Sequence, residues 1–236
     1  MSIAENVAVI KENMARAAIA AGRDPKDILL CAATKMNDAE AVRQAIAAGV
    51  DCCGENRVQE LTIKLAEDAY AGVPIHFIGR LQTNKVRQVV GKVSLIQSVD
   101  RIKLLQTIQF EAARQGIVQD ILLEVNIGKE ESKGGFRAEE LPQLLPKITD
   151  FPNIRVRGLM AIPPICENST DNDKFFQEMY NLGVDIMAKK YDNVFVDILS
   201  MGMSDDYESA IRCGSTMIRI GTAIFGARDY SKSHQT

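Results

Sequence analysis

Tryptophan is absent from this 236-residue chain, and histidine occurs only at His76 and His234. A histidine-rich metal centre is therefore not expected. An excess of one charge is lacking too. Lys and Arg number 28 against 31 Asp and Glu, a formal net charge of -3, which gives no electrostatic reason to expect nucleic acid as a partner. No apolar run is long enough for a bilayer, and the first 22 residues carry Glu5, Lys11, Glu12 and Arg16, so neither a signal peptide nor a membrane span is expected. The five cysteines are odd in number and show no metal-ligand spacing. Adjacent Cys52 and Cys53 would point to opposite faces of a strand and make poor disulfide partners. Reduced thiols in a cytoplasmic protein are the expectation.

What is present is an ordinary globular composition, 46% hydrophobic and 25% charged, which excludes disorder; no sustained repeat suggests a coiled coil or collagen. Residues 2–21 read as an amphipathic helix, with Ile3, Val7, Ile10, Met14, Ala17 and Ala18 at three- and four-residue steps and Gly22 as its stop. Eight short apolar runs follow: Ile28–Ala33, Val50–Cys53, Ile75–Ile78, Ser94–Val99, Ile121–Ile127, Val156–Ile162, Val194–Leu199 and Met217–Phe225. Helical patterns separate them, at 38–48, 56–69, 84–90, 101–114, 138–148, 172–189 and 205–212. Such alternation predicts right-handed βαβ units and a parallel sheet. A doubly wound open sheet shares the pattern, but eight units and a leading helix favour an α/β (β/α)8 TIM barrel with an extra N-terminal helix. No composition shift divides 1–236, so a single domain is expected. Gly128–Gly135 and Pro163–Asp173 read as loops, and Ser231–Thr236 as a frayed tail.

In such a barrel the functional groups follow the strand C-termini. The first run ends on Lys35, whose amine, partly desolvated at the barrel mouth, would be nucleophilic; a lysine that only snorkels to water fits the same position. The seventh and eighth runs end in Ser200-Met201-Gly202-Met203-Ser204 and Arg219-Ile220-Gly221-Thr222. Loops at these two places commonly bind phosphate, with glycines admitting backbone N–H groups and Ser200 and Thr222 supplying hydroxyls; plain turn chemistry gives similar clusters. Ser204-Asp205-Asp206 reads as a helix start with Ser204 as N-cap. An imine-forming amine facing an anion cradle suits an aldehyde that bears a phosphate, such as pyridoxal 5'-phosphate. Arg219, if it faces the lumen, would donate to the pyridine nitrogen; satisfying buried carbonyls is its other reading.

These segments carry a resemblance. Ala33-Thr34-Lys35, Cys53-Gly54-Glu55-Asn56-Arg57-Val58-Gln59-Glu60, His76-Phe77-Ile78-Gly79-Arg80-Leu81-Gln82-Thr83-Asn84-Lys85, Ser98-Val99-Asp100-Arg101, Gly158-Leu159-Met160-Ala161-Ile162-Pro163, Leu199 through Asp206 and Arg219 through Gly226 run in order over most of the chain. The sequence resembles the pyridoxal phosphate homeostasis proteins. That resemblance implies a barrel like the alanine racemase N-terminal domain. It places Lys35 in an aldimine with the cofactor, Asn56 in the pocket, Ser200, Gly221 and Thr222 at the phosphate and Arg219 near the ring nitrogen. Many relatives carry Ser where Thr34 stands and Pro where Arg80 stands; the first change keeps a hydroxyl, the second adds a charge at the rim.

The resemblance implies a carrier that buffers or delivers the cofactor, with no catalytic residues assigned. Apo-forms of pyridoxal phosphate enzymes would be partners, and the chain a monomer or weak homodimer. The alternative is an amino-acid racemase, which needs an acid/base on each face of the substrate, commonly lysine and tyrosine. In alanine racemases the tyrosine comes from a second domain, which is not expected here; Tyr207, after the seventh-strand loop, is the candidate intruder.

Overall fold

A computed structural model describes residues 1–164 and 169–226. Its centre is a closed barrel of eight parallel strands in chain order: β1 Leu29–Ala33, β2 Cys52–Glu55, β3 Ile75–Phe77, β4 Leu95–Val99, β5 Gln119–Val125, β6 Ile154–Ala161, β7 Val194–Ser200 and β8 Met217–Ile220. The seam closes between β8 and β1, where Leu29 pairs with Met217 and Ala32 with Ile220. Strands such as β2 and β4, buried at every position, need the near-continuous apolar runs that mark them in the sequence, whereas β7 leaves Phe195 and Asp197 exposed.

The leading helix α1, Ile3–Ala20, opens on a capping box: Ser2 Oγ accepts from the Glu5 amide at 3.2 Å and Glu5 Oε2 from the Ser2 amide at 2.7 Å. It buries Val7, Ile10, Met14, Ala17 and Ala18, the stripe its periodicity predicts. The other helices are α2 Ala39–Ala47, α3 Val58–Ala66, α4 Ile102–Gln115, α5 Leu141–Leu144, α6 Asp173–Lys189, α7 Tyr207–Arg212 and α8 Thr222–Phe225. α1 packs on α2, α7 and α8, outside the β8–β1 seam.

Three expectations are corrected. The helix expected at 138–148 is α5 flanked by 3-10 turns, because Pro142 and Pro146 lack the N–H donors that a continuous helix needs. The 84–90 segment is a 3-10 turn, Thr83–Gln88. The eighth strand stops at Ile220, and Thr222–Phe225 is a helical turn with Gly221 as N-cap, so the apolar residues beyond 220 pack as helix. The predicted tail falls outside the described residues, as does part of the Pro163–Asp173 loop.

The core has two compartments. The larger lies between sheet and helices and includes Cys53; the smaller fills the lumen with Cys31, Cys52, Met217, Leu95, Leu122, Met160 and Ile198. The two adjacent cysteines do point to opposite faces of β2.

Candidate functional site

A cleft of about 1650 Å³ opens beyond the C-terminal ends of β1, β2, β3 and β8. Its wall combines Ala33, Lys35 and Met36 after β1, Asn56 and Arg57 after β2, Phe77, Arg80 and Leu81 around β3, and Gly221, Thr222 and Phe225 after β8. Lys35, Asn56, Gly221 and Thr222, far apart in sequence, thus share one cavity. A cavity this size exceeds the usual range for one small ligand and leaves a bound molecule open to solvent.

The support beneath Lys35 and Asn56 is polar and buried. Glu55 is fully enclosed; its Oε1 accepts from Thr34 Oγ1 at 2.8 Å and from Lys64 Nζ at 2.5 Å, and its Oε2 from the Asn56 amide at 3.0 Å. Lys64 Nζ also donates to the Thr34 carbonyl at 2.7 Å. Above it, Glu60 Oε2 accepts from the Met36 amide at 2.6 Å, holding the turn in which Met36 takes a left-handed φ of 62°. Half-buried Lys35 sits between these anchors. Asn56 is fixed from the other side by Gly79, whose Cβ, were there one, would lie 2.1 Å from the Asn56 carbonyl oxygen. Its side-chain Oδ1 is buried and accepts no hydrogen bond among the described residues. An orphaned buried acceptor on a cleft wall fits a ligand with a donor group.

At the β8 end of the cleft, Thr222 Oγ1 donates to Ser204 Oγ at 3.1 Å, and the Ala223 amide reaches the same oxygen at 3.3 Å. Ser204 is therefore not the N-cap of α7. That position belongs to Asp206, whose Oδ1 instead accepts from the Met203 amide at 2.7 Å. Gly202, at φ 96° and with Ala210 Cβ 2.6 Å from where its own Cβ would be, turns the chain so that Ser204 meets Thr222.

Ser200 lies elsewhere. It is fully buried in the lumen, donates to Gln97 Oε1 at 2.6 Å and accepts from Arg219 Nη1 at 2.7 Å. Strand parity explains this: Ser200 is the last residue of β7, in register with Met217, and points inward with it. Arg219, also buried, bonds the Ser200 carbonyl at 2.7 Å and, through Nη2, the Ala161 carbonyl at 2.9 Å. It does satisfy buried carbonyls, under the cleft floor. Burial lowers its affinity for a proton, an effect opposed by nearby Cys31 and Glu124. Glu124 in turn is pushed up to about 7 by burial and by Asp100, against the pull of Arg219 and Arg80. Arg80, the departure at the rim, is exposed on the cleft wall.

The sequence did not single out Ser204 as a ligand, or the Thr34–Glu55–Lys64 network. An acidic residue directly after Gly54 in a run with no solvent-side partner is the one signal that pointed to the latter. Tyr207 is turned away: its hydroxyl accepts from Asn13 of α1 at 3.0 Å. No tyrosine lines the cleft among the described residues.

Residues 3–229 match the family of the alanine racemase N-terminal domain. A pyridoxal phosphate homeostasis protein of Aquifex aeolicus is 43% identical over 98% of this chain and all of its own length. The chain belongs to the pyridoxal phosphate homeostasis protein family. The homologue from Pseudomonas aeruginosa is 42% identical over 97% of both chains. Among solved structures, PipY of Synechococcus elongatus with PLP bound superposes at a TM-score of 0.82, with 30% identity over 95% of this chain and 100% of that one. An alanine racemase of Clostridium difficile aligns at a TM-score of 0.70 with 15% identity and over 57% of its own length, a likeness of fold alone. The closed (β/α)8 barrel of the racemase N-terminal type is thus the fold of this family member. No helix among the described residues is long and apolar enough to cross a membrane.

Proposed function

We propose that this protein binds pyridoxal 5'-phosphate in the cleft and serves its intracellular homeostasis, without catalytic turnover. The observation that carries the reading is that Lys35, Asn56 with its unpartnered Oδ1, Gly221 and Thr222 line one cleft, with Ser204 bonded to Thr222 beside it. When bound, the cofactor supplies an aldehyde able to condense with a primary amine, together with a dianionic phosphate. Lys35 is the amine, seated on the Glu55 network. Gly221 and Thr222 would hold the phosphate. Ser204 replaces Ser200 there, since the Ser200 hydroxyl is committed to Gln97 and Arg219. Arg219, beneath the cleft floor, would be the group directed toward the ring nitrogen; a guanidinium only donates, so that nitrogen would accept and stay unprotonated.

The open cleft and the absence of a tyrosine from its described wall favour exchange of the cofactor over carbanion chemistry, which needs water excluded and a second acid/base. Apo-enzymes of the same cofactor are the partners that fit this role, and a monomer or weak homodimer suffices for it. The free thiols of Cys31, Cys52, Cys53 and Cys213 suit the cytoplasm. A racemase reading requires α-proton exchange. The test is to add the cofactor and record the visible absorption of its lysine-linked form. Lys35→Ala abolishes the band and Lys85→Ala, on the same cleft, keeps it; a band that survives Lys35→Ala overturns the assignment. Steady, Lys35-dependent deuterium uptake at the α-carbon of amino acids would replace the carrier by an enzyme.

A further inference from the structure

Below the cleft floor, two thiols and an imidazole converge in the lumen and take no part in the proposed cofactor site. Cys31 and Cys52 are register partners on β1 and β2, and His76 follows on β3. Their three side-chain donor atoms lie within 4.8 Å of one another, and all three residues are buried. Cys52 Sγ is 3.5 Å from His76 Nδ1. A metal about 2.3 Å from sulfur and about 2.0–2.1 Å from nitrogen, at a tetrahedral angle, sets those two atoms roughly 3.5 Å apart. That pair is at ligating spacing, and Cys31 Sγ lies within 4.8 Å of both atoms.

The choice of metal follows from the donors and the charge. Met217 packs on both cysteines in the same cluster, so the surroundings are two thiols, an imidazole and a thioether. Thiolate and thioether ligands select copper(I) over harder ions. Two thiolates and a monovalent ion sum to one negative charge, which the buried Arg219 guanidinium balances; with zinc the ligands would be neutral and the guanidinium left over. Gln97 Nε2 donates to His76 Nδ1 at 2.9 Å and to Met217 Sδ at 3.2 Å, so the Nδ1 lone pair faces the cluster and the amide must turn aside for a metal.

We propose that Cys31, Cys52 and His76 form a site for a single copper(I) ion inside the barrel, flanked by the Met217 thioether and neutralised by Arg219. The full-length protein, kept anaerobic and free of added cofactor, is titrated with copper(I) held by a chromogenic chelator. The titration is run on the native protein and during refolding from urea, since a buried site can fill only as the chain closes. The expected result is withdrawal of one equivalent in at least one arm. Cys31→Ser and Cys52→Ser should each weaken binding by more than the 10–100-fold typical of losing an outer-shell partner, and Cys213→Ser should leave it unchanged. X-ray absorption on the wild-type protein should show sulfur and one imidazole around copper, a readout that needs no variant to fold. Failure to withdraw copper in both arms, a shell of oxygen and nitrogen alone, or displacement of the copper by equimolar zinc would each overturn the proposal.

Discussion

Thr34 and Glu55 meet at 2.8 Å in a space closed to water, and the residue after each is a wall of the cleft: Lys35 after one, Asn56 after the other. The bond joins the ends of β1 and β2, so the amine and the amide are positioned by their neighbours in the chain. Lys64, from α3, completes the tie by bonding both Glu55 and the Thr34 carbonyl. A buried ion pair of this kind adds little net stability over an apolar equivalent, but breaking it is costly.

Glu55→Ala should therefore destabilise the protein by up to about 3–5 kcal/mol, because Lys64 is left charged and enclosed with only Glu60, at 3.5 Å, still facing it. Glu55→Ala combined with Lys64→Met should recover a large part of that loss in urea or guanidinium unfolding. Equal stability of the single and double variants would show that the charge left behind is not what costs.

The barrel was legible because most strand positions are buried, so the strands declare themselves as apolar runs. What escaped the sequence was register. Ser200 and Ser204 sit in one Gly-Ser stretch, and only the β7 pairing to Met217 shows that the first points into the lumen while the second reaches Thr222. The second apolar run stops at Cys53, short of Glu55, because a buried carboxylate between sheet and helix makes sense only once Lys64, nine residues on, is known to fold back on it. Cys31, Cys52 and His76 have no metal spacing in the chain; their convergence is a product of three neighbouring strands.

Retention of the cofactor should separate the two serines. Ser204→Ala and Thr222→Ala each remove a hydroxyl from the proposed phosphate corner and should weaken retention, measured by dialysis, by about 1–3 kcal/mol, the usual worth of a hydrogen bond to a charged group. Ser200→Ala should instead lower folding stability, since Gln97 Oε1 loses its donor and Arg219 an acceptor. If Ser200→Ala releases the cofactor as readily as Ser204→Ala without destabilising the fold, the reassignment is wrong.

Glu124 gives the fold a pH dependence of known sign. Its carboxyl is raised from an ordinary 4.5 to about 7, first by burial and then by Asp100. Between those two values the folded chain holds a proton that the unfolded chain has lost, so this group's contribution falls as pH rises through the window. Glu124→Gln, which cannot ionise, should be more stable than wild type at pH 8 by up to about 3 kcal/mol, with the difference shrinking to nothing below about pH 4.5. Chemical denaturation at both pH values reads it directly. A pH-independent difference would mean that packing, not ionisation, distinguishes the pair.

Gly79 sets the height of the Asn56 wall, and the reason is contact, not backbone freedom. A Cβ there would press on the Asn56 carbonyl oxygen, carbonyl carbon and Cα at 2.1, 2.6 and 2.6 Å, all backbone atoms that no rotamer change can move. Gly79→Ala should cost at least the 1–3 kcal/mol typical of overpacking and weaken cofactor retention by pushing Asn56 Oδ1 off its position. Gly72 is the matched control: its φ is 93° and nothing lies within 4 Å of a Cβ built there, so Gly72→Ala carries only the conformational cost of about 1 kcal/mol and leaves retention intact. Dialysis and urea unfolding of the two variants side by side decide the matter, since equal losses in both would remove the close approach at Gly79 as the cause.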